Sequence, residues 1–194
     1  MTHHEITQNT DEWFALRRGK FTCSTFKNLF LKPSTTTYQK EINRVVFEKL
    51  TGKSPESFTT DYMQRGSEME AEAKAYYEAE KLEVVNPGGF FEVDEWTGGS
   101  PDGIVNDGLL EIKCPSFNTM IEYLKAKTLP HEYLYQVQGH MMISGRKWCD
   151  FMAYHPDLPI FILRVERDEK IIKEIQKQIE TAVELVKETI KQIS

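Results

Sequence analysis

Ser100-Pro101-Asp102-Gly103-Ile104-Val105-Asn106-Asp107-Gly108-Leu109-Leu110-Glu111-Ile112-Lys113 is the stretch on which the fold turns. Asn106-Asp107-Gly108 is a turn signal between two apolar runs, and a two-residue loop at Asn106 and Asp107 pairs 105 with 108 and hence 102 with 111. A three-residue loop with Gly108 left-handed shifts the pairing by one and still leaves the two acids close. Side chains alternate along a strand, so Glu111 and Lys113 share one face while Ile112 turns to the other, toward a core. Two carboxylates held together repel, and a hard divalent cation such as Mg²⁺ keeps both ionised. Lys113 cannot ligate a cation as an ammonium; it can orient an attacking water or offset charge that develops on a phosphate. Taken singly, Asp102 or Glu111 reads equally well as a solvated side chain of a surface hairpin.

The texture before the hairpin is helical. Period and punctuation predict short helices over 12–18 and 25–31 and longer ones over 38–50 and 62–81. Val, Phe and Trp between Gly and Pro then predict strands over 84–93, 98–105 and 109–114. Helices over 119–127 and 131–144, strands over 148–154 and 160–165, and a final helix with apolar positions from Ile171 to Ile190 complete the order. That order predicts an α/β (α+β mixed) fold, a central mixed β-sheet flanked by helices, and one domain over 1–194. The helix over 62–81 carries many glutamates, most of them on a wet face; Glu70 stacks with Ala73, Lys74 and Tyr77 on one side.

The 40% apolar content excludes a disordered chain, and no apolar run approaches the roughly 20 residues of a membrane span. With a polar opening that lacks a signal-peptide core, a cytoplasmic location is expected. Three cysteines at wide spacing, Cys23, Cys114 and Cys149, argue for free thiols over a disulfide framework or a Cys-x-x-Cys metal site. A net charge of −6 argues at first sight against a nucleic-acid partner, but it divides into +4 over 1–53, −11 over 54–112 and +1 over 113–194. The excess acid therefore lies in the middle segment, which contains Glu70, Asp102 and Glu111, and bound cations would neutralise part of it. His131, His140 and His155 share no metal-like spacing and read as structural or exposed; His3 and His4 read as tail residues.

At these motifs the chain resembles the PD-(D/E)XK nucleases, and within them the phage λ exonuclease type, also called YqaJ-like viral recombinases. The resemblance covers nearly the whole chain: Trp13, Arg17 and Gly19 leading to Thr22 and Ser24; Gly66 to Glu70; Ser100-Pro101-Asp102-Gly103; Leu110 to Pro115; and Tyr133 with Gln136-Val137-Gln138. It implies a restriction-endonuclease-like core with two Mg²⁺ per site, Mn²⁺ substituting. Asp102, Glu111, the main-chain carbonyl of Ile112 and the helical Glu70 would hold the metal, and Lys113 would be the catalytic lysine. A functional glutamine near the metals maps to Gln136, with Tyr133 one turn earlier on the same side. Read without the resemblance, Tyr133 and Gln136 are a buried hydrogen-bonding pair.

The same resemblance implies that Arg17, Ser24 and Ser100 hold a 5′-terminal phosphate. A guanidinium fork matches a phosphate bidentately, and Thr22-Cys23-Ser24 reads as a helix start whose free N–H groups favour an anion. On the residues alone, Ser24 is a simple N-cap, Arg17 is a solvated charge with Arg18 competing for its role, and Trp13 is a core anchor. Met63 falls where relatives keep an apolar wedge between strands, and equally reads as core packing. Ser34-Thr35-Thr36-Thr37 stands where some relatives add a basic DNA contact, with Lys27, Lys32 and Lys40 as substitutes or as ordinary surface lysines.

The activity implied is Mg²⁺-dependent 5′-to-3′ exonuclease digestion of linear double-stranded DNA, releasing 5′-mononucleotides and leaving 3′ overhangs for recombination. A ring-shaped homotrimer and a single-strand annealing protein as partner are implied with it, and no membrane. The alternatives are an endonuclease or junction resolvase with the same metal core, and a catalytically silent DNA-binding or interaction protein.

Overall fold

A computed structural model of the chain describes residues 1–55 and 61–194, and the side chains of residues 61–68 lie outside that description. The chain runs β1 (Thr2–His4), α1 (Asp11–Arg17), β2 (Phe21–Thr22), a 3-10 helix (Cys23–Phe30), α2 (Thr36–Thr51) and α3 (Asp61–Lys81). Then follow β3 (Asn86–Pro87), β4 (Phe90–Glu92), β5 (Thr97–Gly99), β6 (Gly103–Val105) and β7 (Gly108–Lys113). The order ends with α4 (Phe117–Ala126), a 3-10 turn (His131–Tyr133), α5 (Leu134–Ser144), β8 (Trp148–Ala153), β9 (Phe161–Glu166) and α6 (Glu169–Ile193).

The mixed α/β class is as expected, but the strands form two sheets, ordered β3-β6-β7-β8-β9 and β1-β4-β5-β2, where one central sheet was expected. The cause lies in two stretches read as continuous strands. The first breaks at Gly88-Gly89 into β3 and β4, the second at Ser100-Pro101-Asp102 into β5 and β6, and each passes from one sheet to the other. The breaks lie against each other: a Cβ on Gly88 would sit 1.8 Å from the Pro101 carbonyl oxygen, and Gly89 has φ +63°, a conformation open to glycine. The histidines expected in a tail lie in β1, which pairs antiparallel with β4.

The hairpin takes the two-residue loop. Val105 pairs with Gly108 and Gly103 with Leu110, and Asn106 accepts φ +49° at the turn. Strand β7 pairs parallel with β8 on its other side, through the crossover that carries α4 and α5. Both strands are buried on two faces, which explains why β8 reads as an unbroken apolar run around Asp150. Leu109, Cys149, Phe151 and Ala153 pack on Met120, Tyr123, Val137 and Met141 of α4 and α5. Leu110, Ile112 and Met152 face Ala73 and Tyr77 of α3.

A third cluster joins the 3-10 helix, α2 and α6 through Phe26, Leu29, Ile42, Val45, Ile175, Ile179 and Val186. Helix α6 begins where Asp168 accepts from the N–H groups of Lys170 and Ile171 at 2.8 and 3.3 Å, and its apolar stripe faces that cluster. Cys23 and Cys149 are buried thiols. Among the described residues no helix is long and apolar enough to cross a membrane.

Candidate active site

Alternation along β7 puts Glu111 and Lys113 on the α5 face, and Glu111 is wholly buried there. Its Oε1 accepts from Gln136 Nε2 at 2.6 Å and from Lys113 Nζ, and its Oε2 lies 3.1 Å from His140 Nδ1. Burial pushes this carboxyl up, but Lys113 and His140 outweigh burial and hold it well below the usual range. The Lys113 ammonium shows the converse: burial lowers its pKa, while Glu111 and Asp102 raise it further, so it stays protonated. The Tyr133 ring centroid lies 5.3 Å from Lys113 Nζ.

Helix periodicity explains which α5 residues arrive. Gln136 and His140 are four apart and share a face; Gln138, two residues on from Gln136, does not. Gln138 instead donates to the Glu166 carbonyl at 2.8 Å and accepts from the Asp168 N–H at 2.9 Å, tying β9 to α6. His140 is a site residue that metal spacing overlooked; its i+4 relation to Gln136 was the available signal.

Asp102 is the last residue of the break between β5 and β6, and its Oδ2 accepts the Ile112 N–H at 2.6 Å. Burial and then the charge of Glu111 push the Asp102 carboxyl above its usual range, with Glu70 adding to the push. Glu70 is bound to Lys74 at 2.7 Å. Glu70, Lys74 and Asp102 line an open cavity of about 770 Å³, whose wall also includes Gln8, Asn9 and Gly88. Among the described residues no three His, Cys, Asp or Glu form a closed ligand group. The donor chemistry nevertheless suits a hard cation: three carboxylates crowd one region, and two of them are compensated by lysines, Glu70 by Lys74 and Glu111 by Lys113.

A second cluster adjoins the first. The Trp13 indole donates to Ser100 Oγ at 2.7 Å, and the Arg17 guanidinium lies 4.1 Å from the Trp13 ring centroid. Arg17 Nη2 donates to Thr22 Oγ1 at 3.4 Å, and Thr22 Oγ1 lies 3.4 Å from Ser24 Oγ. The structure thus brings Arg17, Ser24 and Ser100 into one cluster from three elements, with Trp13 bridging Arg17 to Ser100 and Thr22 bridging Arg17 to Ser24. Ser24 does not cap the 3-10 helix; Thr22 occupies that position.

Burial, followed by the like charge of Arg44, lowers the Arg17 pKa to about 10, so Arg17 is still a cation at neutral pH. Its turn is braced by Glu48, which accepts from the Gly19 N–H at 2.7 Å and from Arg44 Nη1 at 2.7 Å. Arg18 turns elsewhere, its Nε 3.5 Å from Ser54 Oγ. Met63, expected as a wedge, lies outside the described side chains.

A family model described as YqaJ-like viral recombinase domain matches residues 12–147. Among solved structures, an alkaline exonuclease, LHK-Exo from Laribacter hongkongensis, is similar at 36% identity and TM-score 0.88, covering 95% of this chain and 96% of that one. LHK-Exo in complex with dAMP is similar at 35% identity and TM-score 0.88, with the same coverage. A phage-related exonuclease from Haemophilus somnus 129PT shares the fold at 18% identity and TM-score 0.70, covering 90% of this chain and 96% of that one. A comparison with curated protein sequences finds no match. Both the extent of the family match and the LHK-Exo identity lead to one conclusion: the chain belongs to the YqaJ-like viral recombinase family.

Proposed function

We propose that this protein is a Mg²⁺-dependent exodeoxyribonuclease that digests linear duplex DNA from a 5′ end, releases 5′-mononucleotides and leaves 3′ single strands for recombination. One observation carries the reading. Ser100, in the cluster around Arg17, and Asp102, beside Glu111, are the two ends of a single three-residue turn. A pocket suited to a terminal phosphate therefore adjoins the carboxylates, which an enzyme cutting nucleotides from an end requires and an endonuclease does not. Kinship with an alkaline exonuclease supports the same reaction class.

In this reading Arg17 supplies the charged fork, and Ser24 and Ser100 add hydroxyl contacts to the terminal phosphate. Two Mg²⁺, or Mn²⁺ in their place, held by Glu70, Asp102, Glu111 and the main-chain carbonyl of Ile112, would polarise the scissile phosphate and stabilise charge on the leaving 3′ oxygen. Lys113, protonated beside Glu111, orients the attacking water and offsets charge on the phosphate. Gln136 holds the Glu111 carboxylate in its orientation. Tyr133, whose ring lies beside Lys113, would contact the DNA strand. A ring-shaped trimer and a single-strand annealing partner belong to the same reading on the family likeness alone.

The test is digestion of linear duplexes with and without a 5′ phosphate, beside closed circular DNA, in Mg²⁺ or EDTA. Mg²⁺-dependent loss of linear DNA, faster from phosphorylated ends, is expected. Equal cutting of closed circles would overturn the exonuclease reading.

A further inference from the structure

The Ser100-Pro101-Asp102 turn joins the two clusters and is held at three points. Trp13 donates to Ser100 Oγ at 2.7 Å, the Ile112 N–H donates to Asp102 Oδ2 at 2.6 Å, and Gln8 Nε2 donates to the Pro101 carbonyl at 3.2 Å. The third contact comes from the N-terminal segment, to which none of the roles above is assigned. Proline has no N–H, so the main chain at Pro101 can be anchored only through its carbonyl. That carbonyl belongs to the rigid peptide plane leading into Asp102, and holding its oxygen fixes the direction in which Asp102 departs.

The segment that supplies Gln8 is itself anchored. β1 pairs with β4, the His3 ring stacks on Phe91 with centroids 4.2 Å apart, and His3 Nε2 lies 2.9 Å from the Gly88 carbonyl oxygen. Gly88 closes on the same Pro101 oxygen, where a Cβ would overlap at 1.8 Å. The Pro101 carbonyl is therefore enclosed by Gly88 and Gln8, and Gln8 lines the cavity together with Glu70 and Asp102.

We infer that Gln8 is a positioning residue: it brackets the Ser100-Pro101-Asp102 turn and keeps the phosphate-side hydroxyl and the Asp102 carboxylate in one fixed relation. Its catalytic consequence rests on the exonuclease reading; its effect on cation binding does not. Gln8→Leu keeps the volume and removes the donor, Gln8→Asn is one methylene shorter and serves if the leucine variant does not fold, and Thr7→Ala is a control in the same wall.

Mn²⁺ alone is titrated calorimetrically into each protein, and kcat and KM are measured on a 5′-phosphorylated linear duplex. In a folded Gln8 variant with an unchanged melting temperature, Mn²⁺ affinity and kcat each fall about tenfold while KM stays within about twofold, the size expected for a group that orients a ligand from behind. Wild-type values for either quantity, or the same losses in Thr7→Ala, overturn the inference. A wild-type protein that digests no DNA ends defeats the exonuclease reading, and the Mn²⁺ titration then decides the role of Gln8 by itself.

Discussion

Helix α5 reaches the five-stranded sheet through Gln136, whose amide donates to Oε1 of Glu111 at 2.6 Å. Gln138 makes no contact with that carboxylate and bonds main-chain groups at Glu166 and Asp168 instead. The two glutamines should therefore separate function from stability. Gln136→Leu is expected to lower kcat about ten- to hundredfold with little change in melting temperature, as for other residues that orient a ligand. Gln138→Leu removes two part-buried hydrogen bonds to main-chain groups, each contributing about 0.5–1.5 kcal/mol, and is expected to cost about 1–3 kcal/mol of stability. Paired melting and turnover measurements check both; the reverse pattern would assign the functional glutamine to 138.

Arg17 and Arg18 should separate in the same way. Arg17 lies with Trp13, Thr22 and Ser24, whereas Arg18 turns to Ser54. A hydrogen bond to a charged group contributes about 1.5–3 kcal/mol, or roughly ten- to hundredfold in discrimination. Arg17→Ala is expected to lose that much of the preference for 5′-phosphorylated over 5′-hydroxyl ends while Mn²⁺ affinity is retained. Arg18→Ala is expected to leave the preference intact, and kinetics on the two duplexes tells the variants apart.

Lys113 stands between two carboxylates and remains protonated. Lys113→Met keeps the packing against Tyr133 and removes the charge. It is expected to reduce turnover about 10²- to 10³-fold at saturating Mg²⁺, the range for a donor that stabilises charge developing in the transition state. Full activity in this variant would remove Lys113 from the mechanism.

Asp102 gives a pH-dependent prediction. Its pKa in the folded protein is raised by burial and by Glu111, so the native state holds this proton more tightly than the unfolded chain does. Stability of the metal-free protein is then lost as pH rises from the ordinary carboxylate range through the folded pKa, the sign opposite to that of a salt-bridged acid. Asp102→Asn is expected to be about 1–2 kcal/mol more stable than wild type at pH 8 without divalent cations, and equally stable near pH 4. Added Mg²⁺ should narrow the gap at pH 8 by stabilising only the wild type. Denaturant melts at the two pH values, with and without Mg²⁺, measure this; an Asn variant less stable at pH 8 would mean that the carboxylate is already compensated.

Much of this architecture was legible beforehand because its determinants are local. Asn106-Asp107-Gly108 marks a tight turn of either loop length, and two-residue periodicity puts Glu111 and Lys113 on one face and Ile112 on the other whichever loop forms. Helix α6 announced itself through its apolar repeat and the Asp168 cap. The residue types for cation and phosphate chemistry, Asp102, Glu111, Lys113 and Arg17, stood at motif spacings recognisable without coordinates.

Other features depended on groups that meet only when distant segments pack. No local pattern says that Gly88 lies on the Pro101 carbonyl, so the sequence predicts two unbroken strands through the points where the chain changes sheets. β1 carries no apolar alternation and exists because β4 offers it a paired edge. His140 has no metal spacing and acquires meaning only when α5 lies across β7. Local sequence specifies the hairpin turn and which residues share each strand face, because turn chemistry and side-chain alternation act over a few residues. Packing selects the two-residue loop and brings Gln136 and His140, rather than Gln138, to Glu111, because those contacts are set by how whole elements pack on the sheet.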